Sequence, residues 1–217
     1  MSNLDGAVVL LIGSTGGLGS RIATQLEGLG ANIVRSARAD GDLRDVDGPA
    51  RAVAAAITSY GRLDGLVIAA GVVAFGPIES VSDAAITELF ATNTLGPIRL
   101  IREASPHLAA SATAGREPFI VTLSGIVADA PTAGLSAYSA AKAGLAAFTK
   151  AANRELRKSG IRVLDARPGH TETALSRHPI EGIAPTFPAG LDPDAVAARI
   201  VRAIVDGEKD LPGTEFS

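Results

Sequence analysis

Short apolar runs alternating with stretches of helical period constrain this fold more than any other feature. Residues 7–12, 31–36, 63–70, 119–124 and 161–166 read as strands, and 209–212 as a last short one. Helical patterns fill the gaps. One runs to Glu27, and one from a cap at Asp47 to Tyr60, with Pro49 in its first turn and Gly61 closing it. One starts at Ser82 or Asp83 and reaches about 110, with Pro97 and Pro106 set to bend it. The others cover 137–159 and, with Pro193 at its first position, the stretch from Asp192 to Val205. Strands buried on both faces that alternate with helices form a parallel sheet joined by right-handed crossovers. The expected fold is α/β, a single doubly wound parallel sheet flanked by helices.

One stretch departs from the doubly wound norm. A parallel crossover needs a dozen or so residues. Between the second strand, ending near Arg38, and "GDLRD" at 41–45 there is no room for one. The outer third strand is therefore expected to be missing or vestigial, leaving about six principal strands. The whole chain, 1–217, is expected to be one domain, with 174–191, rich in Pro, Gly and His, as a short lid.

Composition narrows the function classes. Net charge is -3 with 20% charged residues and no Lys/Arg block, so the basic footprint that nucleic acid requires is missing. The apolar run at 7–12 is too short to span a bilayer, and no membrane partner is expected. Cysteine is absent, which fits the cytoplasm. His107, His170 and His178 lack the spacing of a metal site, so no metal is expected.

Gly13-x-x-x-Gly17-x-Gly19 sits between a strand and a helix. Glycines there permit a tight turn and let backbone N–H groups approach a pyrophosphate at the helix N-terminus. Ser14 and Leu18 lie in the same turn. At the end of the second strand, where an acidic side chain would bond the ribose 2′-hydroxyl of NAD, the chain carries Ala37 and then Arg38. A guanidinium can pair with a 2′-phosphate, and Ser14 could add a hydroxyl. Asp40 and Asp42 work against that phosphate site. NADP is the expected cofactor, with NAD as the alternative.

With these glycines, Asn93 and Tyr138-x-x-x-Lys142 in order, the chain resembles the short-chain dehydrogenase/reductase family from Val8 to about Val205. "GRLDGLVIAAG" (61–71) and "RPGHTETAL" (167–175) add to the resemblance. It implies a Rossmann-type sheet and hydride transfer between a nicotinamide and a small carbonyl or alcohol. Tyr138 would be the acid/base, with Lys142 lowering its pKa and holding ribose hydroxyls, and Asn93 would anchor a relay water. Asp42, Leu43, Ala70 and Gly71 would flank adenine. Pro168 and Gly169 form the Pro-Gly turn, and Thr171 and Thr173 would meet the carboxamide and phosphates. It also implies a homodimer or homotetramer through the two helices near 83–110 and 139–158.

The family's carbonyl-polarising serine precedes the tyrosine by a register that falls here on Gly125. Ser124 is one residue too early. A bulge at Gly125 could bring Ser124 into place, Ser136 could swing in from the helix start, or Tyr138 could be the only donor; Ser139 points off the Tyr138–Lys142 face. Ser124 is the residue expected to act. A nucleotide-binding sensor or partner protein with weak catalysis is the rival reading. Arg177 and His178 could meet an acidic substrate, although solvated loop residues fit them better.

Overall fold

The computed structural model describes residues 3–216. Val8–Ile12 (β1), Asn32–Ser36 (β2), Gly65–Ile68 (β3), Phe119–Leu123 (β4), Arg162–Ala166 (β5) and Asp210–Leu211 (β6) form one sheet in the order β2-β1-β3-β4-β5-β6. Every neighbouring pair is parallel. The strands sit where the apolar runs placed them, because runs apolar on both sides need cover on both faces.

Helices supply that cover. Gly17–Gly28 (α1) and Pro193–Asp206 (α6) bury Ile22, Leu26, Ile200 and Ile204 against Val9, Leu11 and Leu164 of one face. Gly48–Tyr60 (α2), Gly96–Thr113 (α4) and Ser136–Leu156 (α5) close the other over Leu10, Leu66, Ile120 and Val163. No strand lies between β2 and α2, so the outer third strand is missing, as the length of 37–47 requires.

Local signals set the helix ends. Ser82 caps Asp83–Phe90 (α3) by accepting from the Ala85 N–H, and Asp192 caps α6 through Ala195. Gly61 ends α2 in the left-handed region at φ 70°. Asp47 corrects its expectation. It stands at the start of α2 in near-helical conformation and its side chain caps nothing. The helix expected over 83–110 breaks at the π-helical turn Ala91–Leu95, just before Pro97 opens α4, and Pro106 lies within α4. Wide turns of this kind cluster at functional sites.

The strand order reverses between β1 and β3, so the crevice at the carboxyl ends of the strands is where a ligand is received. Among the described residues no helix is long and apolar enough to cross a membrane.

Candidate functional site

A cleft of about 650 Å³ opens at those carboxyl ends. At one end the turn 13–16 runs from β1 into α1. Gly13 takes φ +81°, and a Cβ there would stand 2.6 Å from the Ala70 nitrogen beyond β3. A Cβ at Gly19 would run into the Gly13 carbonyl, and one at Gly17 would sit 2.7 Å from Thr173 Cβ. Any side chain would therefore displace the backbone or fill the cradle. The first N–H groups of α1 have no intrahelical partner, and no acidic residue in its first turn opposes an anion. These features fit a dinucleotide pyrophosphate.

Beyond β2 the cleft is lined by Ala37, Arg38, Asp42, Leu43 and Arg44. The Asp42 carboxylate takes the Arg44 fork at 2.6–3.1 Å, and this bonding holds its pKa below the usual range against burial. Arg44 also reaches Glu88 at 3.2 Å. Among the described residues Arg38 is exposed and makes no hydrogen bond or ion pair. Asp42 is thus neutralised mainly by Arg44, with a smaller contribution from the charge of Arg38, which no side chain bonds. Ser14 does not join it. It is buried, its hydroxyl reaches back to the Ser36 carbonyl at 3.4 Å, and Thr15 lines the cleft instead.

Tyr138 and Lys142 lie one turn apart on α5, with the Lys142 Nζ 5.8 Å from the Tyr138 ring centre. The ammonium donates to the Leu123 carbonyl at the end of β4, 2.7 Å away. Burial lowers the Lys142 pKa to about 8, partly countered by the charge of Asp165. Burial also pushes the Tyr138 phenol up to about 12, because it packs among apolar side chains. Asn93 in the π turn is fully buried. Its amide accepts from the Val72 N–H at 3.2 Å and donates to the Val72 carbonyl at 2.9 Å. That grip fixes the chain after β3, and a Cβ at Gly71 would be 3.0 Å from Asn93 Oδ1 and 3.5 Å from Lys142 Nζ.

The serines fall out differently from expectation. Gly125 does adopt an unusual backbone, φ +75° and ψ 164°, open to few residues but glycine. Yet Ser124 is 0% exposed and donates its proton to Asp165 Oδ2 at 2.6 Å. A hydroxyl has one proton to give, so Ser124, although it lines the cleft, directs that proton to Asp165 in this arrangement. Ser136 opens α5 without a capping bond and is exposed, and Ser139 is buried away from the cleft.

Asp165 is the residue that sequence reading missed. It also accepts from Thr122 at 2.8 Å and from Arg167 at 3.1 Å. Arg167 in turn meets Asp129 at 2.5 Å and Asp210 at 2.8 Å. Thr122 and Ser124 flank Leu123, so this cluster holds the strand whose carbonyl anchors Lys142. The signal was present, since an acidic residue inside the buried run "RVLDAR" must find partners.

Of the expected residues, Gly13, Gly17, Leu18, Arg38, Asp42, Leu43, Ala70, Gly71, Ser124, Tyr138, Lys142, Pro168, Gly169, Thr171 and Thr173 line this one cleft. Gly19 and Asn93 lie behind it as packing and support.

Residues 35–182 match the family model described as short chain dehydrogenase. An uncharacterized oxidoreductase of Methylorubrum extorquens is 31% identical over 195 residues, covering 80% of this chain and 76% of that protein. A 3-ketoacyl-(acyl-carrier-protein) reductase from Brucella melitensis, solved with NADH, superposes with a TM-score of 0.86 at 23% identity, covering 99% of this chain and 100% of that one. A short chain dehydrogenase from Burkholderia cenocepacia, solved with NADP, gives 0.84 at 21% identity, over 98% and 90% of the two chains.

Proposed function

The chain belongs to the short-chain dehydrogenase/reductase family, and from that membership we propose an NADP(H)-preferring oxidoreductase of small carbonyl or alcohol substrates. The observation that carries the reading is Tyr138 beside a Lys142 ammonium anchored to Leu123, in the cleft that begins at the glycine turn. When bound, a nicotinamide supplies or accepts the hydride; the rest falls to the chain. Gly13, Gly17 and Leu18 receive the pyrophosphate, and Gly19 behind them lets the turn close. Arg38 takes the 2′-phosphate. Asp42, Leu43, Ala70 and Gly71 flank the adenine, and Pro168, Gly169, Thr171 and Thr173 hold the nicotinamide end.

Tyr138 gives its proton to the oxygen of a carbonyl under reduction. A phenol raised to about 12 stays protonated at neutral pH, which suits that direction. In reverse the phenol must be lowered, and the Lys142 ammonium is the cation in reach. Lys142 also holds the ribose hydroxyls, and Asn93, beside Gly71, serves the proton relay. With Ser124 bonded to Asp165, Tyr138 is the only side-chain donor we assign to the substrate oxygen. A missing second donor costs about a hundredfold or more in rate.

The two solved relatives were crystallised one with NADH and one with NADP, so the preference rests on Arg38. Fluorescence titration with NADPH and NADH side by side tests it. NADPH is expected to bind the more tightly, and Arg38→Ala to remove the difference. NADH preference would overturn the role of Arg38 and leave the chemistry standing.

The bonding of Ser124 to Asp165 favours one second reading, a cofactor-binding sensor with weak catalysis. Tyr138→Phe separates the two: the enzyme loses turnover and keeps cofactor, whereas a sensor has little turnover to lose. We further propose a cytoplasmic homodimer or homotetramer paired through α4 and α5, for which light scattering is the check.

A further inference from the structure

The end of the cleft beyond Tyr138 is built from apolar side chains of separate segments. Val73 and Phe75 follow β3, Val127 follows β4, Leu135 precedes α5, and Phe187 comes from the 174–191 segment. Phe75 and Phe187 meet as a tilted pair with ring centres 6.0 Å apart, and His170 stacks on Phe187 at 4.3 Å. The segment that carries Phe187 is tied in place. Ile180 N–H donates to the Val73 carbonyl at 2.8 Å, and Phe75 N–H to the Glu181 carbonyl at 2.9 Å. The Glu181 carboxylate accepts from the Ser82 N–H at 3.0 Å and from its hydroxyl.

Arg38, Asp42 and Arg44 belong to the β2 end of the cleft, and the Lys142 ammonium is bonded to Leu123. Glu172 and Arg177 face an adjoining cavity of about 510 Å³ at the 174–191 segment, which shares His170, Ser176 and Phe187 with the cleft. His170 is taken up by Phe187 and stands 3.6 Å from Glu172, and His178 is exposed. A carboxylate or polyol seated on Val73, Phe75, Val127, Leu135 and Phe187 would give up water with only Thr132, Ser176 and the two histidines of the same cleft to replace its hydrogen bonds.

Resting on the hydride-transfer reading above, we propose that this end binds an uncharged, ring-bearing carbonyl compound or its secondary alcohol. The ring lies against Phe75 and Phe187 with the oxygen at Tyr138, and carboxylate-bearing and polyhydroxy carbonyls are excluded.

Acetophenone, benzoylformate and glucose test this on the full chain. Binding to the protein–NADP⁺ complex is followed by saturation-transfer NMR, and turnover by NADPH oxidation. Acetophenone is expected to bind and to be reduced with kcat/KM at least about tenfold above the other two. Phe187→Ala should lower that value about tenfold with the NADPH Kd unchanged, and Phe187→Leu less, since part of the apolar contact remains. Preference for benzoylformate or glucose overturns the proposal, and a benzoylformate preference removed by His178→Ala would assign that histidine to a carboxylate. Failure of acetophenone to bind, or its indifference to Phe187→Ala, also overturns it, even if another carbonyl consumes NADPH and so preserves the reductase reading. Acetophenone bound but never reduced supports the ligand class and overturns hydride transfer.

Discussion

Two buried carboxylates, one at each end of the sheet, solve the same problem in different company. Asp64 lies just before β3, at the amino ends of the strands, and is 4% exposed. It accepts from the Val8 N–H at 2.9 Å, Arg62 at 2.9 Å and Ser111 at 2.5 Å, with Arg116 at 3.6 Å. Asp165 lies at the carboxyl ends, is 5% exposed, and accepts from Thr122, Ser124 and Arg167. The arginines differ most. The side chains of Arg62 and Arg116 are 39% and 43% exposed, whereas that of Arg167 is 12% exposed and is shared by three carboxylates. One carboxylate staples β1, β3 and α4 with cations that can retreat into water. The other ties β4, β5 and β6 beneath Lys142 with a cation that cannot. Position at the sheet end, not bonding pattern, decides which of them can reach the chemistry.

The largest expected effect separates the two by stability. Asp165→Ala takes one of three carboxylates from Arg167, and leaves buried Ser124 without its acceptor and Thr122 with Thr149 alone, which should cost about 3–5 kcal/mol. Asp64→Ala leaves mainly the Val8 N–H unsatisfied and should cost about 2 kcal/mol. Urea unfolding of both variants is the measurement, and equal losses would break the contrast.

A pH profile sharpens it next. The groups facing Lys142 are Tyr138 from α5, Asn93 from the π turn and Asp165 from β5, and of these only Asp165 sustains its charge. Alcohol oxidation, which needs the Lys142 charge to lower the phenol, should lose kcat/KM above about pH 8, as Lys142 deprotonates. Asp165→Asn removes the counter to burial, so that limb should move to lower pH. Asp64→Asn should leave it in place. A limb unmoved by Asp165→Asn would make the Asp165 cluster purely structural.

Asp64 has its own pH signature. Burial raises its pKa, and the bonds from Ser111, Val8 and Arg62 overcome that and leave it below the ordinary value. A depressed carboxylate contributes stability above its unfolded pKa, and that contribution is lost as pH falls through the folded value. The gap in unfolding midpoint between the parent chain and Asp64→Asn should therefore narrow below about pH 4. A constant gap would deny Asp64 its ionised role.

How far the sequence reaches differs between the same two ends. Apolar runs, the glycine turn and the short 37–47 connection determine strand order and cleft position through local rules, and all were readable. Tyr138 and Lys142 were readable too, because helical spacing alone brings them to one face. Ser14, Ser124 and Asp165 were not. Their roles depend on what lies across the sheet from them, at Ser36 or across β4 and β5, and no local spacing encodes a partner 22 or 41 residues away. Counting residues back from Tyr138 locates Gly125 and Ser124 along the chain but not which way a hydroxyl turns.

The smallest expected effect bears on that hydroxyl. Ser124→Ala and Ser111→Ala each remove one charge-assisted bond from a buried carboxylate that keeps others, so each should cost about 1.5 kcal/mol. Their effects on turnover should match as well. Ser111 is remote from the cleft, and Ser124 has given its proton to Asp165, so neither loss should change kcat by more than about threefold. Were Ser124 the substrate's second donor, its alanine variant would fall about a hundredfold or more while Ser111→Ala stayed level. Gly125 supplies the reciprocal variants. Its backbone at φ +75° strains any side chain, but Gly125→Ser and Gly125→Ala share that strain and differ only by a hydroxyl. Higher turnover in the serine variant than in the alanine one would show that the cleft has room for a second donor that the native chain does not use.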